Sequence, residues 1–249
     1  MIAVTIGLVA GVALVMSVPL YADAIGYRLL WKELTEKTGA RWPPFAFRFQ
    51  YVGAWYGAVE WEDCEPLDNY LMTRAPSVLG LPLIQTVRYI KTDNFLVFPA
   101  SETFYEDERR SLTWGYLGFL STLEPHIRLL EGRFPQPSLD SSKPIEVLVS
   151  RQLAEKIGFQ VNEEYVLFDV RASKTKKKSP LQLPIVITGV WEPLDANDPY
   201  WPSTPSALGD VFLVPEQTFM QRLVPLMEKE IYSAIWYQVY DGSQVHVED

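Results

Sequence analysis

The first 22 residues carry no charged side chain, and this run constrains the fold more than any other feature of the sequence. A helix over the 19 residues from Ile2 to Leu20 would be about 28 Å long, close to the thickness of a bilayer core. A secretory signal has an apolar core of about 7–15 residues after a basic start, and no Lys or Arg precedes this run. Ala22-Asp23-Ala24 nevertheless fits a small-x-small cleavage site. We therefore predict a transmembrane helix over residues 1–22, with a cleaved signal or a buried soluble helix as the alternatives.

Small residues recur along one face of this helix. Ala3, Gly7 and Gly11 are spaced by four positions, and small residues let helices approach closely in lipid. The alternative is that glycine is simply frequent in membrane helices. We predict that this face packs against other helices, that a helical stalk follows over residues 23–40, and that Arg41-Trp42-Pro43-Pro44 ends the stalk.

The charge balance limits the partners of the chain. Its 22 basic and 31 acidic residues leave a formal net charge of −9, which is unsuited to nucleic acid because phosphates require a basic face. Cys64 is the only cysteine, so no disulfide forms within the chain. The remaining residues, 41–249, are enough for one large domain or two small ones, each with its own core, and we treat them as one domain.

The pattern of residues 41–249 predicts an α+β fold with a mixed sheet, built of β-α-β pieces and hairpins. Alternating aromatics predict a strand over Phe45 to Val52, and Val87 to Phe98 predicts two strands around a Thr92-Asp93-Asn94 turn. Ser150 as N-cap and Gly158 as stop predict a short helix. Further strands are predicted at 145–149, 165–170, 183–191, 210–214 and 234–240, and further helices at 61–75, 127–131 and 215–224.

Sequence motifs for catalysis or metal binding are missing. The two histidines, His126 and His246, lie outside any H-E-x-x-H pattern, and no nucleophile elbow or phosphate-binding loop occurs. The segment Asp195–Trp201 lacks the glycine and the bidentate glutamate of a calcium loop. We expect His126 to lie at the surface or to cap an element, and the basic segment 171–179 to be a solvated hairpin tip or a contact for an anionic partner.

Three stretches in a fixed order resemble a known family. They are RLLEGRFPQPS (128–138), IEVLVSRQLAEKIGFQVNEEYVL (145–167), and LPIVITGVWEPLDANDPYW (183–201) followed by DVFLVPEQTF. After a single apolar helix, this order resembles the extracytoplasmic domain of MacB/FtsX-type ABC transporter permeases, over residues 87–219. In that family a GR motif precedes a strand and a helix ending in a "lG…vGd" pattern, and a strand reading "itGv" follows.

The resemblance implies structural roles for five residues. Gly132, Arg133, Gly158, Asn162 and Gly189 match the family motifs or stand in for them. We expect Gly132 to have a positive φ and Gly189 to mark a β-bulge. Asn162 replaces the family's glycine, and asparagine is the next best residue for a left-handed turn.

The segment WEPLDANDPYW (191–201) extends beyond the family pattern. Its aromatic residues Trp191, Tyr200 and Trp201 are candidates for contact with a sugar or lipid. The alternative is that they form a packed loop fixed by prolines.

The resemblance implies a permease subunit in the cell membrane that binds no cofactor, has no catalytic activity of its own, and couples ATP-driven motion to export or signalling. Its implied partners are a cytosolic ABC ATPase, the other transmembrane helices of the permease, the lipid bilayer and a second copy in a dimeric assembly. Since such permeases have several membrane helices, the chain is expected to be a piece of a longer protein. A membrane-tethered carbohydrate- or lipid-binding module is the main alternative, and a secreted hydrolase is the other.

Overall fold

The uncharged N-terminal run belongs to one continuous helix, α1 (Ile2–Lys37), in the computed structural model, which describes residues 2–37, 42–101, 110–169, 181–243 and 245. The helix passes through position 22, where the sequence separates an apolar part from a stalk, without a break. Within the described residues, no helix combines the length and the apolar character that crossing a bilayer requires. The transmembrane helix therefore stays a prediction.

The domain that follows α1 is built on one mixed sheet. Its strands are β1 (Ala46–Val52), β2 (Leu83–Pro99), β3 (Thr113–Leu120), β4 (Ile127–Gly132), β5 (Ile145–Ser150), β6 (Glu164–Phe168), β7 (Gln182–Pro193), β8 (Val211–Leu213) and β9 (Ser233–Tyr240). The other helices are α2 (Trp61–Thr73), α3 (Ala75–Leu79), α4 (Arg151–Ile157) and α5 (Glu216–Thr218), which continues as a π-helical and a 3₁₀ turn to position 226.

The strands lie in the order β1-β9-β2-β3-β8-β5-β7-β4, and β6 pairs with both β2 and β7. The pairs β3–β8 and β5–β7 are parallel, whereas the other pairs are antiparallel. This arrangement confirms the predicted α+β class with a mixed sheet.

Buried side chains form a core on each side of the sheet. One cluster contains residues of α2, α4 and the segment 219–223, and the other contains the aromatic residues after β7.

Two predicted elements are wrong in type. The segment 87–98 is not a hairpin, because β2 runs unbroken through the expected turn, and a bulge absorbs Thr92 and Asp93 instead. The segment 127–131, predicted as helix, is strand β4, because pairing with β7 outweighs its local preference.

Several predicted elements lie where the sequence places them. Ser150 caps α4, its hydroxyl accepting a hydrogen bond from the Leu153 amide at 3.1 Å. Gly158 ends that helix in the left-handed conformation, with φ of 88°. The basic segment 171–179 and His246 lie outside the described residues.

Candidate functional site

The three aromatic candidates for ligand contact are core residues. Trp191 lies on β7, Tyr200 and Trp201 lie on the loop that follows it, and each side chain is about 1% exposed. The indoles of Trp191 and Trp201 stack at 6.3 Å, and the ring of Tyr200 meets Trp201 edge-on at 5.0 Å. The Trp201 indole N–H donates to the carbonyl of Asp195 at 2.8 Å. These rings therefore fix the loop on the sheet and present no face to a ligand in solvent.

His126 contacts the same loop through Asp198 and Tyr200. It ends a 3₁₀ turn before β4, and its Nδ1 lies 2.7 Å from Oδ2 of Asp198. Its ring stacks on Tyr200 with 3.6 Å between centroids and 3° between planes. The Tyr200 hydroxyl donates to the Ser121 carbonyl at 2.7 Å, and burial raises the pKa of that hydroxyl. The histidine thus contacts the loop directly, a role that its sequence context does not reveal.

A cleft of about 1010 Å³ opens beside the loop, between it and α4. Its lining combines apolar and polar side chains, among them Pro193, Ala196, Asn197, Thr204 and Ser206. The cleft lining has two basic residues, Arg151 and Lys156, and two acidic ones, Glu155 and Glu192. Arg151 contacts Glu155 at 2.7 Å and Glu192 at 3.3 Å. Such a lining suits a polar ligand without net charge or a loop of another protein.

Polar side chains in the cleft lining include the carboxylates of Glu155 and Glu192 and the hydroxyls of Thr204 and Ser206. The lining contains no histidine or cysteine. In the part of the chain that the structure describes, no group of three or more His, Cys, Asp or Glu side chains could hold a metal ion.

The GR motif forms a rigid corner between β4 and β7. Gly132 has a φ of 80°, and a Cβ there would lie 2.1 Å from the Thr188 carbonyl oxygen. The Arg133 guanidinium donates to both carboxylate oxygens of Glu146, each at 2.6 Å. The Gln136 amide adds a bond to the same carboxylate at 2.8 Å. Hydrogen bonds from Arg133 lower the pKa of Glu146.

The other motif residues also have backbone roles. Asn162 adopts a φ of 70°, and its amide donates to the Ile187 carbonyl at 2.7 Å. Gly189 follows a register shift between β5 and β7, and a Cβ on it would lie 2.8 Å from the Arg133 carbonyl oxygen. The positive φ at Gly132 and the bulge before Gly189 agree with the expectations from the motifs.

Sequence reasoning missed a partly buried ionic network between α2, β2 and α5. Arg88 on β2 contacts both carboxylate oxygens of Asp68, at 3.2 and 3.3 Å, and also contacts Glu216. The Trp236 indole donates to Asp68 at 2.7 Å. The four residues are far apart in the sequence, so no local pattern could have predicted the network.

The contact between α1 and the domain includes an aromatic pair. The rings of Trp31 on α1 and Phe45 before β1 lie 6.5 Å apart. The Tyr240 amide donates to the Phe45 carbonyl at 3.1 Å, and a Cβ on Gly242 would lie 2.0 Å from the Phe45 ring. The first strand of the domain and its last strand therefore meet where α1 contacts the sheet.

The small-residue face of α1 is only partly described. A Cβ on Gly11 would meet no atom within 4 Å. The surroundings of Ala3 and Gly7 lie outside the described side chains. Packing of this face against other helices stays a prediction.

Comparison with known proteins gives structural neighbours. No family model and no curated protein matches the sequence. The solved structure of the periplasmic region of MacB from Actinobacillus actinomycetemcomitans aligns with 84% of this chain and 80% of its own, at 12% identity and a TM-score of 0.43. A domain described as a permease from Porphyromonas gingivalis aligns over 69% of each chain, at 16% identity and a TM-score of 0.38.

Proposed function

We propose that this chain is the extracytoplasmic part of an ABC transporter permease, attached to the cell membrane by α1 and lacking catalysis of its own. In this proposal a cytosolic ATPase, the other membrane helices and a second copy of the permease are its partners. The domain couples ATP-driven motion of the membrane helices to export or signalling outside the cell.

The observation that supports this proposal best is the junction between α1 and the sheet. A domain that receives motion from a helix needs a stiff contact with it, because a loose linker would absorb the displacement. Here Trp31 packs on Phe45, and Phe45 is held by the backbone of Tyr240 and by close contact with Gly242. Phe45 is bonded to the end of β9, and β9 lies between β1 and β2 in the sheet. A displacement of α1 is therefore passed to a strand inside the sheet.

The motif residues support the same proposal. Gly132, Asn162 and Gly189 set backbone turns, and Arg133 braces one of them through Glu146. The family motifs thus stiffen the domain instead of assembling reactive groups, as expected of a part that transmits force.

The membrane attachment is tested by extraction and labelling of the full chain in cells. We expect the chain to remain in the membrane fraction after alkaline carbonate treatment. A cysteine replacing Tyr56, which is 89% exposed at the tip beyond β1, should react with a membrane-impermeant maleimide added outside. Native Cys64 is buried and serves as the unreactive background. Release by carbonate, or an unlabelled Tyr56→Cys, would contradict the proposal.

The permease assignment is tested separately at the natural locus. With an affinity tag on the gene product and crosslinking before solubilisation, we expect an ABC ATPase to be recovered with the protein. Stable membrane insertion without any such ATPase would argue against a permease and leave only the membrane attachment.

The cleft supports a second candidate function, a membrane-tethered module that binds a carbohydrate or lipid. Its size and its mixed lining of Asn197, Thr204 and Ser206 beside prolines are features of ligand sites. A glycan and lipid screen on the full chain in detergent tests this function, with Asn197→Ala and Thr204→Ala as cleft variants. If both variants weaken binding of the same glycan or lipid, the result would favour the binding module over a permease domain that binds no ligand.

A further inference from the structure

The turn that leads into β2 exposes a continuous run of apolar side chains. Residues 78–84, here the apolar turn, read Val-Leu-Gly-Leu-Pro-Leu-Ile. Val78 is 70% exposed and Ile84 is 65% exposed, and Leu79 and Leu83 are each about 40% exposed. Contiguous exposed apolar surface of this kind marks a contact site for another protein or for a membrane.

The backbone holds these side chains in the exposed position. Gly80 ends α3 in the left-handed conformation, with φ of 68°. The Asp241 amide donates to the Pro82 carbonyl at 2.8 Å, and Leu83 pairs with Tyr240. The apolar turn is thus fixed to the end of β9.

The topology places the apolar turn at the end of the sheet that α1 contacts. Phe45, which packs on Trp31, directly precedes β1 beside the end of β9. The start of β2 lies on the other side of β9, and two strand spacings are about 10 Å. The chain runs along β1, continues through α2 and α3, and enters β2 at Leu83, opposite Tyr240 of β9.

The charges of the segment agree with a membrane contact. From position 75 to position 92 the sequence has no acidic residue, although the whole chain has a net charge of −9. Arg74 is exposed at the start of α3. Acidic side chains would be repelled by an anionic bilayer surface, and a basic one is attracted to it.

We propose that the apolar turn inserts into the surface of the lipid bilayer beside α1. This inference rests on the proposed membrane attachment of α1. The side chains of Val78 and Ile84 enter the boundary between head groups and acyl chains, about 5–10 Å deep as for other interfacial apolar groups. The domain is then supported on the membrane at two points, α1 and the apolar turn, which fixes its tilt.

Depth-dependent quenching on the full chain tests the proposal. Single cysteines replace Val78 or Ile84, and Tyr56→Cys at the opposite tip of the domain is the control. Each variant is labelled with an environment-sensitive fluorophore and reconstituted in vesicles of phosphatidylcholine and phosphatidylglycerol. Lipids with a nitroxide near the head group should quench the labels at 78 and 84 strongly and the label at 56 not at all. Adding Val78→Asp should weaken the quenching at 84, because a charge opposes insertion.

The outcomes separate this inference from the proposed function. If the labels at 78 and 84 stay unquenched but the chain remains in the vesicles after carbonate treatment, the inference is overturned. The membrane attachment of α1 is then still supported. A blue-shifted but unquenched label shows that polypeptide, not lipid, covers the apolar turn, and also overturns it. Release of the whole chain by carbonate contradicts the membrane attachment itself.

Discussion

Arg133 and Glu146 show how a single pair can hold a turn that matters to the whole domain. The pair is bidentate, and the Gln136 amide bonds the same carboxylate. The arginine is 56% exposed and the glutamate 22%, so solvent screens the charges and the hydrogen bonds supply most of the stabilisation. Sequence motifs identified Arg133, but its partner had to come from the structure, because the two residues belong to different elements.

Replacing Glu146 by glutamine should lower the free energy of unfolding at neutral pH by about 0.5–1 kcal/mol. Hydrogen bonds from Arg133 hold the pKa of Glu146 below its ordinary value of 4.5. The stabilisation is therefore complete above that value and is lost as the pH falls through the lowered pKa. Denaturant titrations from pH 7 to pH 3 should show the difference between the two proteins shrinking. The exposed Glu131→Gln should match the native protein throughout, and a constant difference for Glu146→Gln would contradict the assignment.

His126→Ala should destabilise the loop that carries Tyr200 and Trp201. It removes the contact with Asp198 and the stack on Tyr200, which together contribute about 1–2 kcal/mol at a partly exposed site. We expect that loss in denaturant unfolding and faster amide exchange at Trp201, whose N–H donates to Asp198. Glu124→Ala, an exposed change in the same turn, is the control. Unchanged exchange at Trp201 in the histidine variant would show that the core rings alone fix the loop.

At the scale of elements, local signals predicted α4 well and β2 poorly. Ser150 and Gly158 define α4 through bonds and φ values within a few residues, and the sequence contains that information. The Thr92-Asp93-Asn94 segment has the composition of a turn, yet β3 and β9 pair with β2 on its two sides. Long-range pairing keeps the strand extended, so the extra residues form a bulge opposite Leu117. The same reasoning explains why 127–131 is a strand.

The bulge in β2 depends on one hydroxyl. Thr92 is fully buried, and its Oγ1 accepts from the Leu117 amide at 3.1 Å and donates to the Asp93 carbonyl at 2.8 Å. Thr92→Val keeps the shape but leaves the Leu117 amide without its acceptor, which should cost about 1–3 kcal/mol. The Leu117 amide should exchange its hydrogen faster in Thr92→Val than in the native protein, and at the native rate in Thr92→Ser. Equal rates in both variants would mean that the hydroxyl does not bind this amide.

At the scale of the whole molecule, α1 and the loop that carries Tyr200 and Trp201 contact distant parts of one sheet. The sheet connects them through β9 and β2, and then through β6 to β7, which carries Trp191. Hydrophobic patterning predicted most of these strands. Their order was not predictable, because it depends on contacts between residues that are far apart in sequence. The junction at Phe45 is likewise visible only once β1 and β9 are paired.

The contact between Trp31 and Phe45 should limit the motion of the entire domain relative to α1. A Cβ on Gly242 would lie 2.0 Å from the Phe45 ring, so Gly242→Val should displace that ring and separate it from Trp31. The sheet should stay folded, since Gly242 lies beyond the end of β9. Spin labels on Glu36→Cys of α1 and Gln50→Cys of β1, measured by pulsed electron resonance in the full chain, should give one narrow distance distribution in the native background and a broad one in Gly242→Val. Ser243→Val places the same side chain at the exposed neighbouring position and should keep the narrow distribution. If Gly242→Val also keeps it, contacts other than Phe45 hold α1 on the domain, and the proposed route of coupling through this ring is wrong.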